Sequence, residues 1–245
     1  MSKTMISTGV KEALGGYEFQ FIWTARRCIS MLKHDSTIRQ VCIESIDYED
    51  AIDFGQNIET FLGIDTSEYH NGTTFKKASK LIISQLKCGI SHPDKKWTIS
   101  RLCYSKKRTK NSSVIGRLAS TFKGFYDNHP QNILVNKLRL QIVSNCPLDT
   151  KAKMLIRKVI NILGSLDVTP DKWRISLLNN ALHSKFHVSD IGKLHLATGL
   201  GSNAFCIFMS CLDIANLVST PPSYNANILK MRLERLICLL YTSDA

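Results

Sequence analysis

Acidic residues are scarce in this chain, with 20 Asp and Glu against 32 Lys and Arg, a net charge of +12. That balance biases the surface toward polyanions, nucleic acid first among them. Long apolar runs are missing too. None reaches the roughly 18 to 20 residues that a helix needs to cross a bilayer, so a soluble protein without a membrane partner is expected. The eight cysteines (Cys28, Cys42, Cys88, Cys103, Cys146, Cys206, Cys211, Cys238) form no Cys-x-x-Cys pair to join any of the seven histidines in a zinc set. A zinc site is therefore not expected. Most of the cysteines sit inside apolar runs, as small buried hydrophobes do. No secretory signal is visible, so the expected setting is a reducing cytoplasm. The absence of an internal repeat excludes a solenoid.

What is present suffices for a globular fold: 245 residues, 44% hydrophobic, can bury one sizeable core or two small ones. After Gly15-Gly16 the spacing of Tyr17, Phe21, Ala25, Cys28 and Leu32 predicts a helix with those residues buried. Ile38 to Ile46 alternates as a strand, with Glu44 near its end. Asp47 to Asp50 reads as a tight turn, and Ala51 to Phe54 as a short second strand. Gly55 to Lys80 is polar and rich in turn residues, an insertion or functional loop. Further strands are expected over Leu81 to Lys87, Lys96 to Ser105 and Leu138 to Val143. Helices follow Ser113 and Asp149 or Thr150 as caps. Beyond Gly164 the pattern is of short helices only, after Thr169-Pro170 and Ser189 and over Asn203 to Leu212 and Asn225 to Leu240. A soft boundary falls near Gly164.

One strand is anomalous. Leu81-Ile82-Ile83-Ser84-Gln85-Leu86-Lys87-Cys88 is apolar and β-prone, yet Gln85 and Lys87 stand two residues apart and so share a face. Neither desolvates cheaply without a partner. Acids should face them, and the upstream cluster of Glu44, Asp47, Glu49, Asp50 and Asp53 is the expected supply. Gln-x-Lys is also common on ordinary solvent-facing strands, and carboxylates around a turn are commonly turn formers. The basic run Lys106-Lys107-Arg108-Thr109-Lys110 reads as a solvated loop, with phosphate contact as the alternative.

Three local features carry a resemblance: Gly16-Tyr17-Glu18-Phe19-Gln20, Glu44 followed by Glu49-Asp50-Ala51-Ile52-Asp53, and Ser84-Gln85-Leu86-Lys87. Val143 to Leu148 is similar to a later strand end. In this order they resemble the PD-(D/E)xK nuclease superfamily in its Gln-x-Lys version. Within it, the likeness is to the DUF4297-type double-stranded DNA endonuclease domain of bacterial, CD-NTase-associated anti-phage effectors. It covers roughly Thr8 to Leu163. The resemblance implies an α/β, restriction-endonuclease-like mixed sheet flanked by helices over 1–163. A small helical region over 164–245 follows, expected to continue past Ala245.

The implied activity is hydrolysis of DNA phosphodiester bonds with Mg²⁺ or Mn²⁺, through Glu44, Asp50, Gln85 and Lys87. Asp50 would be a direct metal ligand, Gln85 a neutral second oxygen, and Glu44 a ligand or an orienter of water. Lys87 would stabilise transition-state charge. Asp53 and Asp65 are rival ligands, and Gln20 would reach the site from the first helix. An activating ligand or a sensor region beyond Ala245, and a homo-oligomer, fit the same resemblance. The alternative is a catalytically inactive nucleic-acid-binding or scaffold module of the same fold. Convergence of Glu44, Asp50, Gln85 and Lys87 on one pocket separates the two. A third reading, an interaction domain, predicts an exposed apolar face on the helices after Gly164.

Overall fold

Alternation of Leu81 and Ile83 with Ser84 and Leu86 makes a strand buried on both faces, and that strand is the middle of the sheet. In the computed structural model, which describes residues 8–54, 61, 63–89, 94–105, 113–165 and 188–213, the chain runs α1 (Thr8–Met31), β1 (Ile38–Ile43), α2 (Tyr48–Asp53), β2 (Thr66–His70) and β3 (Lys80–Lys87). It continues through α3 (Ile99–Cys103), α4 (Val114–Asn128), α5 (Gln131–Lys137), β4 (Leu138–Ser144), α6 (Thr150–Ser165), α7 (Val188–Thr198), α8 (Ser202–Cys211) and β5 (Leu212–Asp213). The five strands lie side by side in sequence order. β1, β2 and β3 are antiparallel neighbours, and β3, β4 and β5 are parallel. This is the expected α/β mixed sheet flanked by helices.

The two faces differ in chemistry. Leu81 and Ile83 join Leu140, Ile142, Ile115, Leu118 and Phe122 in the main core. On the other face Leu86 and Val143 form a small cluster with Trp23 of α1. α8 and β5 belong to the main core, and Leu212 pairs with Leu140, so residues on both sides of Gly164 fill one interior. The helices expected after Thr169-Pro170 and over Asn225 to Leu240, and the basic run at Lys106, lie outside the described residues.

Three expectations are corrected. α1 forms, but its buried side is Trp23 and Thr24, while Phe21 is 64% exposed and Leu32 also faces out. The sheet face beneath it is polar, with buried Thr66, Glu68 and Ser84. An apolar stripe would find no match there, whereas Arg27 pairs with Glu68 at 2.7 Å. Residues 51–54 are not a strand: Asp47 caps Glu49 N at 2.9 Å and starts α2. The second strand is instead Thr66–His70, inside the stretch that reads as an insertion. It returns to β3 through a turn in which Asn71 takes φ 58°. A Cβ on Gly72 would meet the Lys77 carbonyl carbon at 2.6 Å, so the turn closes only with glycine there. Lys96 to Ser105 is also no strand. Only Trp97 bridges, to Leu148, and Thr98 caps α3 through Arg101 N at 3.2 Å.

The Arg27–Glu68 pair generates a stability prediction. Burial pushes the Glu68 carboxyl above its ordinary 4.5, and Arg27 pulls it back. A carboxyl raised in the folded state gives stability at low pH that is lost as pH climbs through its folded value. Arg27→Met raises it further and leaves a buried carboxylate unpaired. We expect a loss of about 3 kcal/mol at neutral pH by urea unfolding. The deficit should shrink as pH falls toward 4.5. A pH-independent deficit would contradict this account of the pair.

Candidate active site

Register brings the polar residues together at one end of the sheet. Ile43 pairs with Thr66, and Thr66 with Ser84. The residues one step beyond, Glu44, Asp65 and Gln85, therefore stand in a row across three strands. Backbone bonds fix that row: Glu44 N donates to Asp65 O at 2.9 Å, and Asp65 N to Ser84 O at 3.0 Å. Lys87 follows one pleat beyond Gln85, on the same face.

Asp65 is the junction. Its Oδ2 accepts from Leu86 N and faces Lys87 Nζ at 3.7 Å. Oδ1 keeps no partner among the described residues. Lys87 and Asp65 are each about a quarter exposed, 25% and 24%. Burial lowers the Lys87 ammonium from its ordinary value, Asp65 opposes that shift, and the charge of Arg117 adds to it. From α1, Gln20 Nε2 donates to Glu44 Oε1 at 3.3 Å and to Asp65 O at 3.4 Å. Glu44 itself sits at φ 52°, a left-handed backbone uncommon outside glycine, which breaks the strand's alternation at the site.

Gln85 is fully buried, and neither atom of its amide has a hydrogen-bond partner among the described residues. An orphaned amide in a protein interior is costly unless water or a ligand satisfies it. Among the described residues no three His, Cys, Asp or Glu side chains cluster as a metal cage. The oxygens at hand are two carboxylates and a neutral amide. That set fits a hard divalent cation that keeps several of its waters.

Asp50 does not join Glu44, Gln85 and Lys87. It is buried, its carboxylate accepts from Tyr69 Oη at 2.8 Å and Phe75 N at 2.9 Å, and it ties α2 to the β2–β3 turn. Burial raises its pKa against those two bonds. Tyr69 lies four residues from Asp65, about 13 Å along the strand. The rival Asp53 pairs with Lys76 at 3.3 Å on the surface. The other rival, Asp65, holds the position expected of Asp50. A signal for it was present: Asp65 precedes Gln85 by 20 positions against 35 for Asp50, a spacing that suits a hairpin. Arg117, whose charge bears on Lys87, carries no signal in the sequence, since it is one basic residue on an amphipathic helix.

A five-stranded mixed sheet flanked by helices is an α/β architecture of the restriction-endonuclease-like kind. The model of one family, described as Cap4, dsDNA endonuclease domain, matches residues 8–191, and no curated protein matches the chain. The protein belongs to that family and is a DNA endonuclease by membership.

The Asp50 contacts predict a structural phenotype. Asp50→Ala leaves two buried donors, Tyr69 Oη and Phe75 N, unsatisfied and should cost about 3 kcal/mol in urea unfolding. A change below about 0.5 kcal/mol, as for a surface residue, would contradict the assignment.

Proposed function

We propose that the protein hydrolyses phosphodiester bonds of double-stranded DNA, in anti-phage defence, with Mg²⁺ or Mn²⁺ held by Asp65, Gln85 and Glu44. It is read as a PD-(D/E)xK nuclease in which Asp65, Gln85 and Lys87 are the motif. The observation that carries this reading is the buried, unpartnered Gln85 amide opposite a carboxylate that Leu86 N and Lys87 hold in place. Glu44 and Lys87 stand beside it, and Asp65 supplies the acid that Asp50 does not.

The bound cation supplies Lewis acidity and offsets charge building on the phosphoryl group. Everything else is positioning by the chain. Leu86 N fixes the orientation of Asp65, and Gln20 fixes Glu44. Asp65 keeps Lys87 charged in a site where burial disfavours the ammonium. Lys87 in turn faces the charge that develops on the phosphate oxygens, and its lowered pKa makes it a readier proton donor to them. The basic excess favours DNA through phosphate contacts and makes binding salt-sensitive. An activating ligand and a homo-oligomer belong to the same reading. The helices after Gly164 do not favour an interaction module: among the described residues of α7 and α8, Leu196 alone is an exposed large hydrophobe.

Supercoiled plasmid incubated with Mg²⁺ tests the reading. Nicking or linearisation is expected, abolished by EDTA and reduced by roughly 100-fold or more in Lys87→Ala, the scale of losing one transition-state charge contact. Equal cutting by Lys87→Ala would contradict the site, and equal cutting in EDTA would contradict the metal.

A further inference from the structure

We infer that Arg117 is a second phosphate-binding cation of this site, gripping the DNA strand beside Lys87. The inference rests on the nuclease reading and adds a residue to it. Each other half-buried arginine among the described residues has a partner. Arg27 pairs with Glu68, Arg139 Nη1 donates to Val135 O and Leu138 O, and Arg101 donates to Lys95 O and stacks on Trp97 at 3.9 Å. Arg26 lies 6.0 Å over the Trp23 ring. The Arg117 guanidinium has no ion pair or hydrogen bond among the described residues, although it is half-buried. Partial burial costs that guanidinium some of its hydration, and an anion meeting it would restore the lost interactions.

Its position is set by close packing. A Cβ on Gly63 would lie 2.5 Å from Arg117 O and 2.7 Å from Thr121 Oγ1, so the start of α4 presses on the chain two residues before Asp65. Arg117 is in the opening turns of α4, behind the Ser113 cap on Gly116 N at 3.0 Å, where no acidic residue offsets the positive helix end. Its charge is felt at Lys87. A cation at a helix N-terminus beside a second cation is repelled twice over in the free protein. A phosphodiester placed among them reverses the sign of both interactions. Arg suits this role because its planar fork takes two phosphate oxygens at once.

The test uses a fluorescently labelled duplex, anisotropy binding across a salt series in Ca²⁺ and in EDTA, and plasmid cleavage in Mg²⁺. Arg117→Met should bind roughly tenfold or more weakly. Its slope of log Kd against log salt should flatten by about one unit, and Arg117→Lys should restore that slope. Thermal melting identifies a misfolded variant, and if Arg117→Met misfolds, Arg117→Gln takes its place. Wild-type affinity and slope in the neutral variant overturn the inference, as does a wild type that binds no duplex in either condition. A wild type that binds DNA but cuts nothing in Mg²⁺ counts instead against the nuclease reading on which the inference rests.

Discussion

The antiparallel register of β2 on β3 is the constraint from which the site follows. With Thr66 opposite Ser84, Asp65 must stand opposite Gln85, and its carboxylate falls on Leu86 N and near Lys87. A slip of one residue would turn each of these side chains to the other face of the sheet. Buried Tyr69 resists such a slip through Asp50, and so does Glu68 through Arg27. Asp50 thus serves the site from a distance, by holding the strand that carries the acid.

The layer beneath α1 is unusually polar for a protein interior. Trp23 Nε1, Arg27 Nε, Thr66 Oγ1, His70 Nε2 and Ser84 Oγ are buried there without hydrogen-bond partners among the described residues. The Arg27–Glu68 ion pair and the Trp23–Leu86–Val143 cluster carry the docking of this helix. Gln20 lies seven residues, about two turns, before Arg27 on the same helix. The seating of α1 therefore also sets Gln20 against Glu44, and a contact two turns away helps to orient one acid of the candidate site.

Much of this was legible in the residues. The mixed sheet, β3 with Gln85 and Lys87, the Ser113 cap of α4 and strand β4 all follow from periodicity and capping. β2 was hidden because Thr66-Ser67-Glu68-Tyr69-His70 buries polar groups whose partners come from distant α1 and α2. Periodicity cannot report such partners. With that strand hidden, Asp50 is the acid expected beside Gln85, because Ala51 to Phe54 is the first β-prone stretch after β1. The apolar side of α1 pointed outward for a related reason: the helix answers a polar sheet face that its own sequence does not reveal.

The central claim is that Asp65, and not Asp50, completes the site with Glu44, Gln85 and Lys87. Plasmid cleavage in Mg²⁺ by Asp65→Asn and Asp50→Asn, normalised to folded protein, tests it most directly. The account predicts that Asp65→Asn loses nearly all cutting while Asp50→Asn keeps the wild-type rate per folded molecule. Full activity in Asp65→Asn would contradict it.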